Sequence, residues 1–177
     1  MEALRWNMLV KNVLDAAEEH QLWVPGDRIV VAVSGGPDSV AFLHIMHEIS
    51  MRHVPLELIC AHVHHGFRTE SDDEAEKMME LAQQLGITFE WTKADVPSYM
   101  ELTGQGPQEA ARNKRYAFLH EVASKYNAAS IALAHHADDQ AETVMLHLLR
   151  GTGLSGLSGM KFKRREKMWN LFVHAFV

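Results

Sequence analysis

The chain has 177 residues, 47% of them hydrophobic, one cysteine and a formal net charge of −6 at pH 7. That is apolar material for one core and one domain, whereas no run approaches the ~18–20 apolar residues of a membrane-spanning helix, and the lone Cys60 excludes an internal disulfide or a cysteine-based cluster. Proteins that hold nucleic acid alone usually show a basic balance, because phosphate neutralisation dominates affinity, so any such substrate needs a local basic surface or one supplied from elsewhere.

The opening Met1-Glu2-Ala3-Leu4-Arg5-Trp6 lacks the basic-then-apolar order of a secretory signal, and a cytoplasmic setting is expected. Residues 1–22 read as an amphipathic helix, with Leu4, Met8, Leu9, Val13 and Ala16 at helical spacing. Pro25-Gly26-Asp27 punctuates the chain, and residues 29–33 (Ile-Val-Val-Ala-Val) then form a strand apolar on both faces, as in a buried parallel sheet. Ser34-Gly35-Gly36-Pro37-Asp38-Ser39 follows and opens a helix reaching about Arg52. The two glycines leave no Cβ in the way of a ligand. Ser34, Ser39 and the first helical amides are donors for an anion, helped by the helix dipole. The segment reads as a phosphate cradle. It is not a P-loop, which needs a lysine, because no lysine lies between Lys11 and Lys77.

Residues 56–63 form a second strand, ending in His62-Val63-His64-His65-Gly66-Phe67-Arg68. Clustered histidines first suggest a metal, but strand alternation sends His65 away from His62 and His64, and no H-E-x-x-H or cysteine ligand accompanies them. A strand end that offers backbone groups to a nucleotide base is favoured, with Arg68 meeting a phosphate or an RNA backbone. A solvated polar loop is the alternative. A charged helix from Ser71 to Leu85 follows, with Ser71 and Glu74 as a capping box.

Residues 87–91 are a third strand. A loop runs on through Pro97 and Thr103-Gly104-Gln105-Gly106-Pro107 to a helix over about 108–126, where Arg112 and Arg115 share a face. That basic face either is solvated or contacts a phosphate. Residues 130–134 are a fourth strand, followed by His135-His136-Ala137-Asp138-Asp139-Gln140-Ala141-Glu142-Thr143 and a helix over 138–149. Asp138 suits an N-cap, but capping does not explain two histidines and three acids together. Carboxylates there fit Mg²⁺ bound with a nucleotide polyphosphate, and an acidic pocket would also hold a substrate ammonium. Alternating strands and helices predict an α/β fold, a Rossmann-like parallel sheet with helices on both faces. Each polar cluster lies at a strand's carboxyl end, where such sheets bind ligands.

These motifs resemble those of the ATP pyrophosphatase (PP-loop) superfamily and, within it, the N-terminal catalytic domain of tRNA(Ile)-lysidine synthetases. The resemblance rests on residues 34–39, Ala61 to Arg68, Ala111 to Tyr116, and Leu133 to Val144 running on into Leu149-Arg150-Gly151-Thr152-Gly153-Leu154. It implies a ligase reaction in which ATP adenylates the C2 oxygen of the wobble cytidine of tRNA(Ile) with a CAU anticodon. L-lysine then displaces AMP to give lysidine. By position, Ser34, Gly35, Gly36, Pro37, Asp38 and Ser39 would hold the pyrophosphate part, with Asp38 and Asp138 near Mg²⁺. Ala61, His62 and Val63 would edge the adenine, and Arg112 and Arg115 would stabilise charge on the transferring phosphoryl group. Arg68, His135, Asp139 and Glu142 would meet tRNA or lysine. A related tRNA thiolase, which typically uses paired cysteines, and a non-catalytic ATP-binding fragment are the alternatives.

The resemblance stops near residue 160. A glycine-spaced loop (151–159), a basic run (161–167) and a mostly apolar end (168–177) follow. Residues 1–160 are expected to form the domain. Residues 161–177 are expected to be an atypical tail left by truncation or frameshift, with the family's tRNA-binding domains absent. That tail should be disordered or buried against a neighbouring chain, as in a homodimer.

Overall fold

Residues 29–33 carry no polar side chain, and both faces of the strand they form are covered. The computed structural model describes residues 2–64, 71–135, 163–165 and 171–176. Strand β1 (Arg28–Val33) lies between β2 (Glu57–His64) and β4 (Ser130–His135), parallel to both. The sheet order is β3-β2-β1-β4-β6-β5, with β3 at Thr88–Lys93, β5 at Lys163–Arg165 and β6 at Leu171–Phe176. The α/β parallel sheet expected from the sequence is present.

Strand alternation distributes the core. Ile29, Val31 and Val33 pack with Leu58 and Cys60 against helices α1 (Glu2–Glu19), α2 (Pro37–Arg52) and α3 (Ser71–Gln84), where Phe42, Leu43, Ile45, Met46 and Ile49 are fully buried. On the opposite face Val30, Ile59, Ala61, Ile131 and Leu133 meet Leu119, Val122 and Ala123 of α5 (Pro107–Lys125). Burying each such large apolar side chain stabilises by about 1.5–3 kcal/mol.

Two segments depart from the sequence reading. The stretch through Pro97, read as loop, contains helix α4 (Val96–Thr103). Asp95 caps it by accepting from the Ser98 amide, Pro97 stands in the first turn where its missing N–H costs nothing, and Gly104 ends it with φ of 69°. The tail departs further. Residues 171–176 form β6, paired parallel with β4 from Ser130↔Leu171 to His135↔Phe176, and β5 pairs antiparallel with β6. The apolar end of the chain therefore joins this chain's own sheet, which corrects the expectation of a disordered or neighbour-bound segment. A row of unpaired strand edge on β4 offers backbone hydrogen bonds along its whole length, and an apolar β-rich stretch meets that need. The helix expected over 138–149 and the glycine-spaced loop lie outside the described residues.

A polar clasp ties β3 to the end of α5. Lys125 and Tyr126 both donate to one carboxylate oxygen of Glu90. Burial raises the Glu90 carboxyl, but these two hydrogen bonds outweigh it and leave it below its ordinary 4.5. A lowered carboxylate contributes stability that is whole above pH 4.5 and lost as pH falls through the lower folded value. Glu90→Gln is therefore expected to lower the urea midpoint at pH 7, with the difference from the parent closing near the acid limit. An equal difference at both ends of the pH range would refute this.

Candidate functional site

The sheet changes winding direction beside β1: β2 and β3 step away on one side and β4 lies on the other. Such a switch point opens a crevice at the carboxyl ends of the two strands. Here the crevice is lined by Ala32, Val33, Ser34, Ser39, Ala61, Val63, Arg115, Leu119, Leu133 and Ala134, around about 480 Å³ of empty space, part of it open to solvent. Small side chains on three adjacent strands make the room. Ala32 stands in register with both Ala61 and Leu133, and Leu119 of α5 closes the opposite wall.

The loop at the mouth is fastened by its own hydroxyls. The Ser34 amide and hydroxyl both donate to Ser39 Oγ at 3.1 Å, and Ser39 Oγ donates to the Gly36 carbonyl at 2.8 Å. Ser39, buried, thus commits its proton to holding the loop, and exposed Ser34 is the hydroxyl better placed to turn towards a ligand. Gly36 is the N-cap of α2 and supplies no side-chain cap, Pro37 opens the helix, and Asp38 stands exposed in its first turn. Uncapped first-turn amides at the positive end of a helix form an anion site when something negative lies before them.

Gly35 has φ of +90°, a conformation that L side chains rarely adopt. A Cβ there would meet Glu74 Oε2 at 3.7 Å, an ordinary contact, so the penalty of a side chain is conformational rather than steric. Gly35→Ala is expected to cost about 1–2 kcal/mol of stability and to weaken anion binding at the loop by about tenfold. Thermal unfolding and nucleotide titration of the variant check both. Unchanged values would refute the role given to the left-handed turn.

Arg115 brings the cation. It lines the crevice from α5, with Nε buried and, among the described residues, without a hydrogen-bond partner. Its guanidinium carbon lies 5.5 Å from the centre of the Tyr116 ring, and that of Arg112 lies 5.6 Å from the same ring. The two arginines thus share Tyr116, but Arg112 is exposed and outside the crevice lining. A buried guanidinium nitrogen left without an acceptor, beside two serines and an uncapped helix, fits a phosphate group.

The residues expected to edge a base separate by face. Ala61 and Val63 line the crevice, whereas His62 between them points to the other side of the sheet, where its Nδ1 lies 2.8 Å from the Val33 carbonyl. His62 is 1% exposed, and burial, partly offset by that hydrogen bond and by the charge of Glu74, lowers its pKa below the ordinary 6.5. Sequence reasoning missed Glu74 as a neighbour of the loop. The signal, an acid in the first turn of α3, was absorbed by its helix-capping interpretation. Cys60 is fully buried and its thiol is pushed up to about 12 by that burial, the behaviour of a packing residue rather than a nucleophile. Arg68, Asp138, Asp139 and Glu142 lie outside the described residues, and of His135 only its place at the end of β4 is described. Among the described residues, no group of three or more His, Cys, Asp or Glu side chains is placed to hold a metal, and no helix is long and apolar enough to cross a membrane.

Comparison with known proteins gives the family of the chain and relatives of its fold. The PP-loop domain family matches residues 7–172. The tRNA(Ile)-lysidine synthase of Dehalococcoides mccartyi is 44% identical over 155 residues, covering 87% of this chain and 33% of that protein. That of Bacillus subtilis is 40% identical over 157 residues, covering 88% and 33%. The chain thus spans about a third of the length of the curated relatives it matches. Among solved structures, the U34-tRNA thiolase NcsA of Methanococcus maripaludis superposes with a TM-score of 0.78 at 17% identity, over 96% of this chain and 58% of that one. The NH3-dependent NAD synthetase of Campylobacter jejuni does so with 0.55 at 12%, over 84% and 61%. Both show the shared fold.

Proposed function

Because the chain belongs to the PP-loop domain family, we propose that the 34–39 loop and the crevice beside it hold ATP for the reaction of tRNA(Ile)-lysidine synthases. The observation that carries this reading is the buried, unpartnered Nε of Arg115 facing a preformed loop and an uncapped helix at the sheet's switch point. The apolar crevice between Ala32, Ala61, Val63 and Leu133 takes the adenine. Loop amides and the Ser34 hydroxyl take the pyrophosphate part, and Arg115 takes charge on the α-phosphoryl group. Arg112, exposed beside Tyr116, meets phosphate or RNA outside the crevice. Asp38, exposed in the first turn of α2, would share Mg²⁺ with the polyphosphate, and Asp138 is the second proposed ligand. Bound Mg²⁺ would neutralise charge on the leaving pyrophosphate.

In the first step the cytidine C2 oxygen attacks the α-phosphorus, the bond to the bridging oxygen breaks and pyrophosphate leaves. In the second, the lysine ε-amine forms a bond to C2, AMP leaves with the former C2 oxygen, and the amine gives up a proton. His135, Asp139 and Glu142 are the proposed lysine contacts, and Arg68 a proposed RNA contact. The proposed setting is the cytoplasm. Relatives named tRNA(Ile)-lysidine synthase at about 40% identity favour this substrate. The buried Cys60, the chain's single cysteine, places sulfur transfer second.

Labelled ATP tests the proposal. The chain is expected to bind Mg·ATP, to form pyrophosphate only when tRNA(Ile) is present, and to release AMP only when lysine is present as well. AMP formed without tRNA, or no nucleotide binding, would overturn it. ATP held without turnover in any mixture would identify a nucleotide-binding module instead.

A further inference from the structure

His62 is a polar side chain set into an otherwise apolar face. Leu58 and Cys60, which precede it on this face of β2, are apolar members of the core between the sheet and α1–α3, and buried His64 follows it at the strand end. An imidazole there leaves Nε2 buried with no hydrogen-bond partner among the described residues, a cost of about 1–3 kcal/mol that leucine would avoid. What the imidazole adds is one donor. A carbonyl oxygen only accepts, so the 2.8 Å contact with Val33 puts the proton on Nδ1. That carbonyl is where β1 gives way to the loop: Val33 is the last residue of the strand, and Ser34 and Gly35 follow. Pairing of β1 with β4 ends one residue earlier, at Ala32↔Leu133.

We infer that His62 is a positioning residue for the phosphate loop, its Nδ1–H holding the Val33 carbonyl and thereby setting the direction in which Ser34 and Gly35 leave the strand. This rests on the assignment of ATP to that loop. His62 touches no substrate, since it lies across the sheet from the crevice. Its burial keeps the ring neutral near pH 7, with one donor and one bare nitrogen. Glu74, whose charge reaches the ring and whose carboxylate lies beside Gly35, walls the loop on the same side. The loop is therefore clasped twice, by Ser39 from within and by His62 from behind.

Three measurements on the full chain test this. Asparagine presents an N–H near the place of Nδ1, whereas leucine fills the site without a donor. His62→Leu is expected to weaken Mg·ATP binding by about tenfold and to speed amide exchange at Ser34, Gly35 and Gly36 by about tenfold, while Val30 and Val31 stay protected. His62→Asn should remain within about threefold of the parent in both measurements. Parent-like behaviour of His62→Leu, or equal impairment of the two variants, would overturn the inference, the second outcome showing that ring packing alone matters. Nitrogen NMR of the parent protein decides independently of folding in either variant: a proton on Nδ1 is expected, and one on Nε2 alone would overturn the inference. Should the parent bind no ATP, the nucleotide assignment falls, and the exchange rates and ring tautomer still judge His62.

Discussion

Asp38→Ala is expected to reduce Mg·ATP affinity by about tenfold or more, equivalent to roughly 1.4 kcal/mol or more, and to abolish pyrophosphate release wherever turnover is seen. Asp38 is exposed in the first turn of α2, next to the loop and free of a capping bond. An acid there interacts favourably with the helix dipole, which is worth about 0.3–1 kcal/mol to the helix. Its charge nevertheless opposes a polyphosphate at the same helix end. A shared Mg²⁺ resolves the conflict, because hard carboxylate and phosphate oxygens bind it together. Titrations with and without Mg²⁺ separate the two effects. The loss should appear only when the metal is present, and with chelator the variant should bind ATP as well as the parent or better. An equal loss in both conditions would show that Asp38 serves the helix and not the metal.

Arg115→Ala is expected to lower ATP affinity by roughly ten- to a hundredfold, the range of a charge-assisted hydrogen bond lost from a buried donor. Stability should fall by much less than affinity, because among the described residues Nε has no hydrogen-bond partner to lose and the guanidinium gives up only its contact with the Tyr116 ring. Arg115→Lys should recover only part of the affinity, since an ammonium offers a point charge where the guanidinium offers a planar fork. Calorimetric titration alongside thermal unfolding checks this. Parent-like affinity in Arg115→Ala, or a large fall in stability without loss of affinity, would remove Arg115 from the site. Arg112→Ala is the internal comparison. It keeps Arg115 in the crevice and should cost nucleotide affinity much less.

The strand, the loop and the helix from Ile29 to Arg52 were legible in the residues because each of their signals is local. A strand covered on both faces must be apolar throughout. A left-handed turn selects glycine, met at Gly35, and a proline fits only the first turn of a helix, met at Pro37. Helix α4 has local signals too, in Asp95, Ser98 and Gly104, but a proline fits a loop as well as the first turn of a helix, where Pro97 stands. The family resemblance added a chemical reading to residues that spacing alone left open.

Periodicity within one strand says which side chains alternate, but not which helix covers either face. A strand apolar on both sides carries no mark of its own orientation. That Ala32, Ala61 and Leu133 face α5 and leave a crevice, while His62 faces α3 and braces the loop, was decided by how the helices cross the sheet. The same holds for Arg115, which shares a helical face with Arg112 in sequence yet lines the crevice with Leu119, four residues further along α5, while Arg112 is exposed. It holds also for residues 171–176, whose pairing partner no local rule could name, and whose backbone the open edge of β4 takes up as a parallel strand.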